Sequence, residues 1–315
     1  MLKYLVIQLD DTSVSFCHYP TADTAPRMIS ASDLRKGILF AMKENLNIQF
    51  VYPQRSLPDE YLSIIDSIDH TKIKPSTADD TSDADIVVID GMEHAADVAW
   101  GSEQIYILRT GRARMQDIIP LIEHIKHIIK RLNIVITDID TFTQHDFTTY
   151  AEVLHKTGEI VEKEYLAGNA VQINLLTDRM MLTSMNNCNA GHETLTLAPD
   201  GQFHICPAFY LESPDESCGD PENGVSIRNA QLYRLDHAPI CRRCDSYQCR
   251  RCVWLNRHTT LEVNTPSHEQ CVAAHIEREA SRLTLEGIRR IGEFMPDVTI
   301  PEIDYNDPFE KHNNW

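Results

Sequence analysis

The sequence predicts an α/β protein in three parts. A strand–helix repeat covers residues 1–185, a small cysteine-rich module covers 186–275, and a C-terminal helix and tail cover 276–315. Three observations lead there. Short apolar, β-branched runs alternate with segments of helical period through the first half. Eight of the nine cysteines fall between Cys188 and Cys271. The chain has 315 residues, 42% of them hydrophobic and 24% charged, which at about 150 residues per domain suffices for two domains with packed cores.

Taken in order, residues 3–9 read as a buried strand. Leu34, Ile38, Leu39, Met42 and Leu46 have the spacing of a helix over 32–46, with Ser32 as a suitable cap. A second strand, 48–52, ends at Pro53. A helix over 58–69 opens with Pro58, and the polar stretch 74–83 reads as a loop. The third strand is 85–89, followed by a short helix near 93–99 and a fourth strand at 105–108. The strongest period lies over 114–131, where Met115, Ile118, Ile119, Ile122, Ile125, Ile129 and Leu132 share a stripe. Strand 133–138, helix 145–166 and strand 171–175 complete the repeat. Strands apolar throughout and separated by helices indicate a parallel sheet covered on its outside. Six such units fit an open, partial (βα)6 barrel or a doubly wound sheet.

Composition excludes several classes. A net charge of −18 argues against nucleic acid as a partner, because phosphate recognition needs a basic surface. No run reaches the ~18 apolar residues of a membrane span. The start is only briefly apolar before Asp10 and Asp11, unlike a signal peptide, so a cytoplasmic protein is expected. A reducing compartment does not keep disulfides, so the clustered cysteines point to metal.

The module opens with Cys188, twelve residues, Gly201, four residues and Cys206. Residues 195–206 predict two short strands around a Pro-Asp-Gly turn. Then come Cys241-x2-Cys244-x4-Cys249-x2-Cys252 and, alone near the start of the last helix, Cys271. A Cys-x-x-Cys pair lets two thiolates reach one centre from a tight turn. One zinc would leave three of these seven thiols unexplained, so two centres are favoured, of iron–sulfur or zinc. Arg242, Arg243, Arg250, Arg251 and Arg257 lie among them, suited to offset the negative charge of thiolate-bound clusters.

This pattern resembles the SPASM domain, the auxiliary-cluster module of radical SAM peptide maturases and sulfatase-maturing enzymes. Each of the last two gaps is one residue shorter than in that family. The resemblance implies a partial (βα)6 barrel of radical SAM type before a SPASM-like domain, and two [4Fe–4S] clusters. Cys241, Cys244, Cys249 and Cys271 would bind the outer cluster. Cys188, Cys206 and Cys252 would bind the inner one, its fourth ligand open among Cys218, His192, a substrate thiolate or water. Radical SAM enzymes carry Cys-x3-Cys-x2-Cys after the first strand; here Ser13, Cys17 and Pro20 hold those places. The Gly-Gly-Glu segment that holds the SAM amino group is replaced by Tyr52-Pro53-Gln54-Arg55-Ser56. The chain thus resembles degenerate members, such as the maturase-like proteins of CXXX-repeat peptides, for which no SAM is expected.

The remaining candidates have plainer readings. Cys17 reads as a small buried thiol and Cys218 as a loop spectator. His124 and His127 lie off the apolar stripe, and His192 and His204 lie near the cysteines as supporting groups at most. Asp10, Asp11, Asp90, Asp138 and Asp140 follow strand ends, where carboxylates cap helices or do acid–base work. The expected function is a part in maturing a ribosomally made peptide: binding a precursor peptide, itself cysteine-rich or basic, or passing electrons beside a catalytic partner or electron donor. The alternatives are a SAM-independent peptide-modifying enzyme using the clusters or rim carboxylates, and a structural zinc protein.

Overall fold

The computed structural model describes residues 1–22, 26–185, 187–290, 292–305 and 307–309. In chain order the strands are β1 (Tyr4–Gln8), β2 (Asn47–Val51), β3 (Thr71–Pro75), β4 (Ile86–Asp90), β5 (Ile105–Thr110), β6 (Arg131–Ile136), β7 (Gln172–Ile173), β8 (Thr194–Leu197), β9 (Phe203–His204), β10 (Gly219–Asp220) and β11 (Gly224–Val225). The α-helices are α1 (Ala31–Lys43), α2 (Asp59–Ile65), α3 (Ile118–Ile125), α4 (Gln144–Leu166), α5 (Asn174–Met181), α6 (Pro207–Glu212), α7 (Val253–Thr260) and α8 (His268–Arg289). They fall into two compact units. One comprises Met1–Asp90, Cys188–Arg242 and Cys252–Thr265; the other comprises Gly91–Asn187, Arg243–Arg251 and Pro266–Trp315. No described helix is long and apolar enough to cross a membrane.

In the first unit β1 pairs in parallel with β2 on one side and β8 on the other, β2 with β3, and β3 with β4. Its buried strand face carries Leu5, Ile7, Leu195 and Leu197, and α1 covers it with Leu34, Ile38 and Ala41. A Cβ on Gly37 would run into the Leu197 side chain, so the missing side chain sets how closely the helix lies on β8. The helix starts at Ser30 rather than Ser32: the Ser30 hydroxyl accepts from the Asp33 amide at 3.0 Å and donates to its carboxylate at 2.6 Å. The Pro-Asp-Gly turn is a hairpin, with β8 and β9 antiparallel and Gly201 at φ +79°, a conformation costly to other residues. β3 departs from the expected loop, which began at Lys74; Lys72 and Lys74 break the apolar run that would mark a strand. Their charges are met by Asp66 and Asp83, at 2.9 Å each from Lys72.

In the second unit β5, β6 and β7 are parallel neighbours. The stripe over 114–131 is buried as expected at Met115, Ile118, Ile122, Ile125 and Ile129. Its backbone is helical only over Ile118–Ile125, with a 3₁₀ turn before it, and Arg131 already belongs to β6. The strand expected over 171–175 stops after two residues. Asn174 replaces the next ladder step with its side chain, accepting from Ile134 N at 2.7 Å and donating to Ile134 O at 3.1 Å, and opens α5. A Thr143–Asp146 capping box starts α4. Helix α4 packs on α8, where a Cβ on Gly158 would lie 2.5 Å from Thr284 Oγ1. Parallel strands with flanking helices make both units α/β.

Candidate metal centres

The β1–α1 connection positions the first thiol. Ser13 Oγ donates to Val51 O at 2.8 Å and accepts from Asp10 N at 3.1 Å. Ser15 Oγ donates to Tyr19 O at 2.5 Å, Ser15 N donates to Thr21 Oγ1 at 3.0 Å, and Thr21 Oγ1 donates to Asp90 at 2.6 Å. These bonds pin the loop at several points around Cys17, whose amide reaches Ser15 Oγ at 3.5 Å. The Ser13 hydroxyl is fully engaged, and Pro20 has no donor atom to offer.

Three more thiols in the first unit come from segments far apart in sequence. Cys188 lies just before β8 and is exposed. Cys206 follows β9 as the cap residue of α6, with Pro207 in the first turn. Cys252 caps α7, its sulfur accepting from Leu255 N at 3.5 Å. Cys252 is held well above the ordinary thiol range, first by a side-chain hydrogen bond with Cys17, then by burial, then by the charges of Cys17, Cys206 and Cys188. Burial raises Cys206 as well, with the charges of Cys188 and Cys17 adding to it. Cys17, Cys188, Cys206 and Cys252 therefore share one electrostatic neighbourhood. The sequence reads Cys17 as a buried thiol; it is half-buried and interacts with Cys252.

The other candidates have partners of their own. Cys218 is buried, its S–H donates to Phe203 O at 3.2 Å, and burial pushes it up to about 12. His192 is lowered by burial and by the nearby N-terminal amine, with Glu193, Arg234 and Asp236 as its other charged neighbours. His204 is fully buried and bonds Asp200 at 2.9 Å across the hairpin. His127 pairs with Glu164 at 3.2 Å. Of the strand-end carboxylates, Asp10 is buried against Arg55 and Thr12, and Asp11 accepts from Tyr210 at 2.5 Å. In the second unit Asp138 accepts from Arg112 N at 2.9 Å. These are loop-fixing roles.

Cys241 sits buried in a 3₁₀ turn of the first unit; Cys244, Cys249 and Cys271 belong to the second. The loop 243–251 is locked onto α8. Asp245 accepts from Arg278 Nε at 2.8 Å and Nη2 at 2.7 Å, and from Arg179 at 3.2 Å. Gln248 donates to Ala274 O at 2.6 Å. Cys271 lies in the first turn of α8, and one turn on His275 Nδ1 sits 2.8 Å from Cys271 O. Burial alone would raise the Cys244 thiol, but hydrogen bonds from the His275 side chain and the Ser246 amide bring it below the ordinary range. Burial likewise opposes a charged His275, and Cys244 overrides it, so that His275 is raised. His275, Arg278 and Arg179 carry no motif and are invisible in the sequence. Of the arginines expected to face sulfur, Arg257 instead bonds Glu216 at 2.8 Å and lies over the Phe209 ring, while Arg251 is 1% exposed.

Among the described residues, no three His, Cys, Asp or Glu side chains close on one point as a single-ion site does.

No protein-family model matches the sequence, and no curated protein matches it. Solved structures do. Polyhistidine-tagged anSMEcpe with bound AdoMet superposes with a TM-score of 0.65 at 12% identity, covering 94% of this chain and 98% of that one. Native anSMEcpe with bound AdoMet and Cp18Cys peptide gives 0.65 at 12% identity, covering 95% of this chain and 100% of the other. The same protein with Kp18Cys peptide gives 0.61 at 12% identity, covering 94% and 100%. What is shared is the fold.

Proposed function

We propose that this chain is an iron–sulfur protein of ribosomal-peptide maturation, one that binds a precursor peptide and does not cleave SAM. The observation that carries the reading is the convergence of Cys188, Cys206 and Cys252 in one neighbourhood of a chain with the radical SAM maturase fold. In this reading they hold the inner [4Fe–4S] cluster, and Cys244, Cys249 and Cys271 of the second unit serve the outer. Bound clusters of this type accept and release single electrons.

The chain's own residues prepare these sites. The two-arginine clamp on Asp245 fixes the loop that bears Cys244 and Cys249. The His275 side chain favours the thiolate of Cys244, the form that binds metal. Ser13, tied to the end of β2, and Pro20 leave the β1–α1 loop one thiolate where SAM chemistry needs three. Peptide binding is supported by the peptide in the anSMEcpe complexes, and the net charge of −18 favours a basic peptide.

A SAM titration of the anaerobically reconstituted protein, followed by reduction with dithionite, tests the loss of SAM chemistry. The expected result is no saturable binding and no 5′-deoxyadenosine. Saturable binding with SAM cleavage overturns the reading.

A further inference from the structure

We infer that Cys17 is the fourth thiolate of the cluster held by Cys188, Cys206 and Cys252, an assignment that rests on the iron–sulfur reading above. The β1–α1 loop is bonded to α6, the helix that Cys206 caps, through Tyr210 Oη donating to Asp11 at 2.5 Å, and β1, which leads into the loop, pairs with β8, which Cys188 precedes; the mutual influence of Cys17, Cys188, Cys206 and Cys252 agrees with that placement. These contacts draw together four segments: the β1–α1 loop, the lead into β8, the cap of α6 and the cap of α7. Three of the four thiols belong to the cysteine-rich module. The fourth comes from the far end of the sequence, and the loop that bears it is tied down on both sides. Val14 N donates to Tyr52 O at 3.0 Å, Ser13 bonds Val51, and Thr21 bonds Asp90. A loop so pinned presents its sulfur in one place with little ordering left to lose on metal binding.

The other candidates have partners of their own, although Cys218 shares a hydrophobic cluster with Cys206. The Cys218 S–H is spent on Phe203 O, and His192 has Glu193, Arg234 and Asp236 as its charged neighbours.

The assignment has two chemical consequences. A cluster with four thiolates has no open iron, so it passes electrons or holds structure and does not bind a substrate thiolate or water at iron. Cys17 also cannot serve a SAM-cleaving cluster while it serves this one. The residue left over from the position of a radical SAM motif has changed partners.

The test compares wild type with Cys17→Ala, Cys17→Ser and, as a control, Cys218→Ala, each reconstituted anaerobically as the full chain. Iron, sulfide and EPR spectra are read before and after ferricyanide oxidation. A three-thiolate cluster loses its unprotected iron, so both Cys17 variants are expected to show a [3Fe–4S] signal of about one spin per chain. Wild type and Cys218→Ala should not. Wild-type iron with Cys17 variants indistinguishable from it in EPR and iron content overturns the assignment alone. Wild type without iron and sulfide overturns the iron–sulfur reading together with it. A second measurement needs no variant. Metal-free wild type is treated with diamide, which takes one hydrogen from each of two thiols as they join, and is then mapped by mass spectrometry. A Cys17–Cys252 disulfide is expected; Cys17 recovered only as free thiol contradicts the placement.

Discussion

Cys252 and Cys218 are equally hidden, at 7% and 6% exposure, yet their surroundings give them different roles. Cys218 is a neutral thiol bonded to a carbonyl, whereas Cys252 sits among three other thiols. Cys252→Ala, like the Cys17 variants, leaves three thiolates, so after oxidation it is expected to lose about one iron per chain with its sulfide retained and to show a [3Fe–4S] EPR signal. Cys218→Ala should leave both unchanged and lower stability by roughly 1–2 kcal/mol through a lost hydrogen bond and a small void. Colorimetric iron and urea melts separate the two outcomes. Glu277 supplies a pH-dependent prediction. Burial pushes its carboxyl up to about 7, against hydrogen bonds from Tyr150 at 2.7 Å and Gln248 at 3.3 Å. Its folded pKa is above the unfolded value, so the folded state binds more protons between them. Stability should therefore fall as pH rises from about 4.5 to about 7 and then level off. Glu277→Gln should flatten that slope and add about 1–3 kcal/mol at alkaline pH. A variant that differs from wild type by the same amount at every pH contradicts this. At this scale the sequence spoke through spacing: Cys188, Cys206 and the run from Cys241 to Cys271 stand out because cysteines recur there at short intervals. Cys17, His275, Arg179 and Arg278 have no such interval, because the fold alone brings them to their partners.

Helices α4 and α8 meet through small residues, and the two glycines at their contact differ in what faces them. A methyl on Gly158 would press on Thr284 Oγ1, which is itself bonded to Ala280 O at 2.8 Å. Gly158→Ala is expected to cost about 1–3 kcal/mol by overpacking. A methyl on Gly287 meets only the end of the Glu162 side chain, which can swing away. Gly287→Ala should be neutral or stabilising by up to about 1 kcal/mol through helix propensity. Thermal melts showing equal losses would mean the packing is not as described. The clamp on Asp245 acts at the same scale. Arg278→Met should loosen the loop 243–251 and lower the iron of the outer cluster while leaving the inner-cluster EPR signal in place. Elements whose buried residues follow a single period, such as β1, α4, α8 and the β8–β9 hairpin, were legible. Those settled by a side chain replacing a backbone bond were not: Asn174 ends β7, and the aspartates beside Lys72 and Lys74 permit β3.

The whole molecule distributes its sulfur donors over both compact units. Cys17, Cys188, Cys206, Cys241 and Cys252 lie in the first; Cys244, Cys249 and Cys271 lie in the second. The α/β class followed from apolar strands alternating with helices, a property local enough to be read one window at a time. Which strands become neighbours depends on pairings such as Tyr4 with both Asn47 and Thr194, and no window of sequence contains them. The decisive measurement is of metal and sulfide in protein purified without oxygen, with EPR after reduction. About eight irons and eight sulfides per chain, in two reducible clusters, are expected. Stoichiometric zinc with neither iron nor sulfide would contradict the claim that these thiols hold clusters.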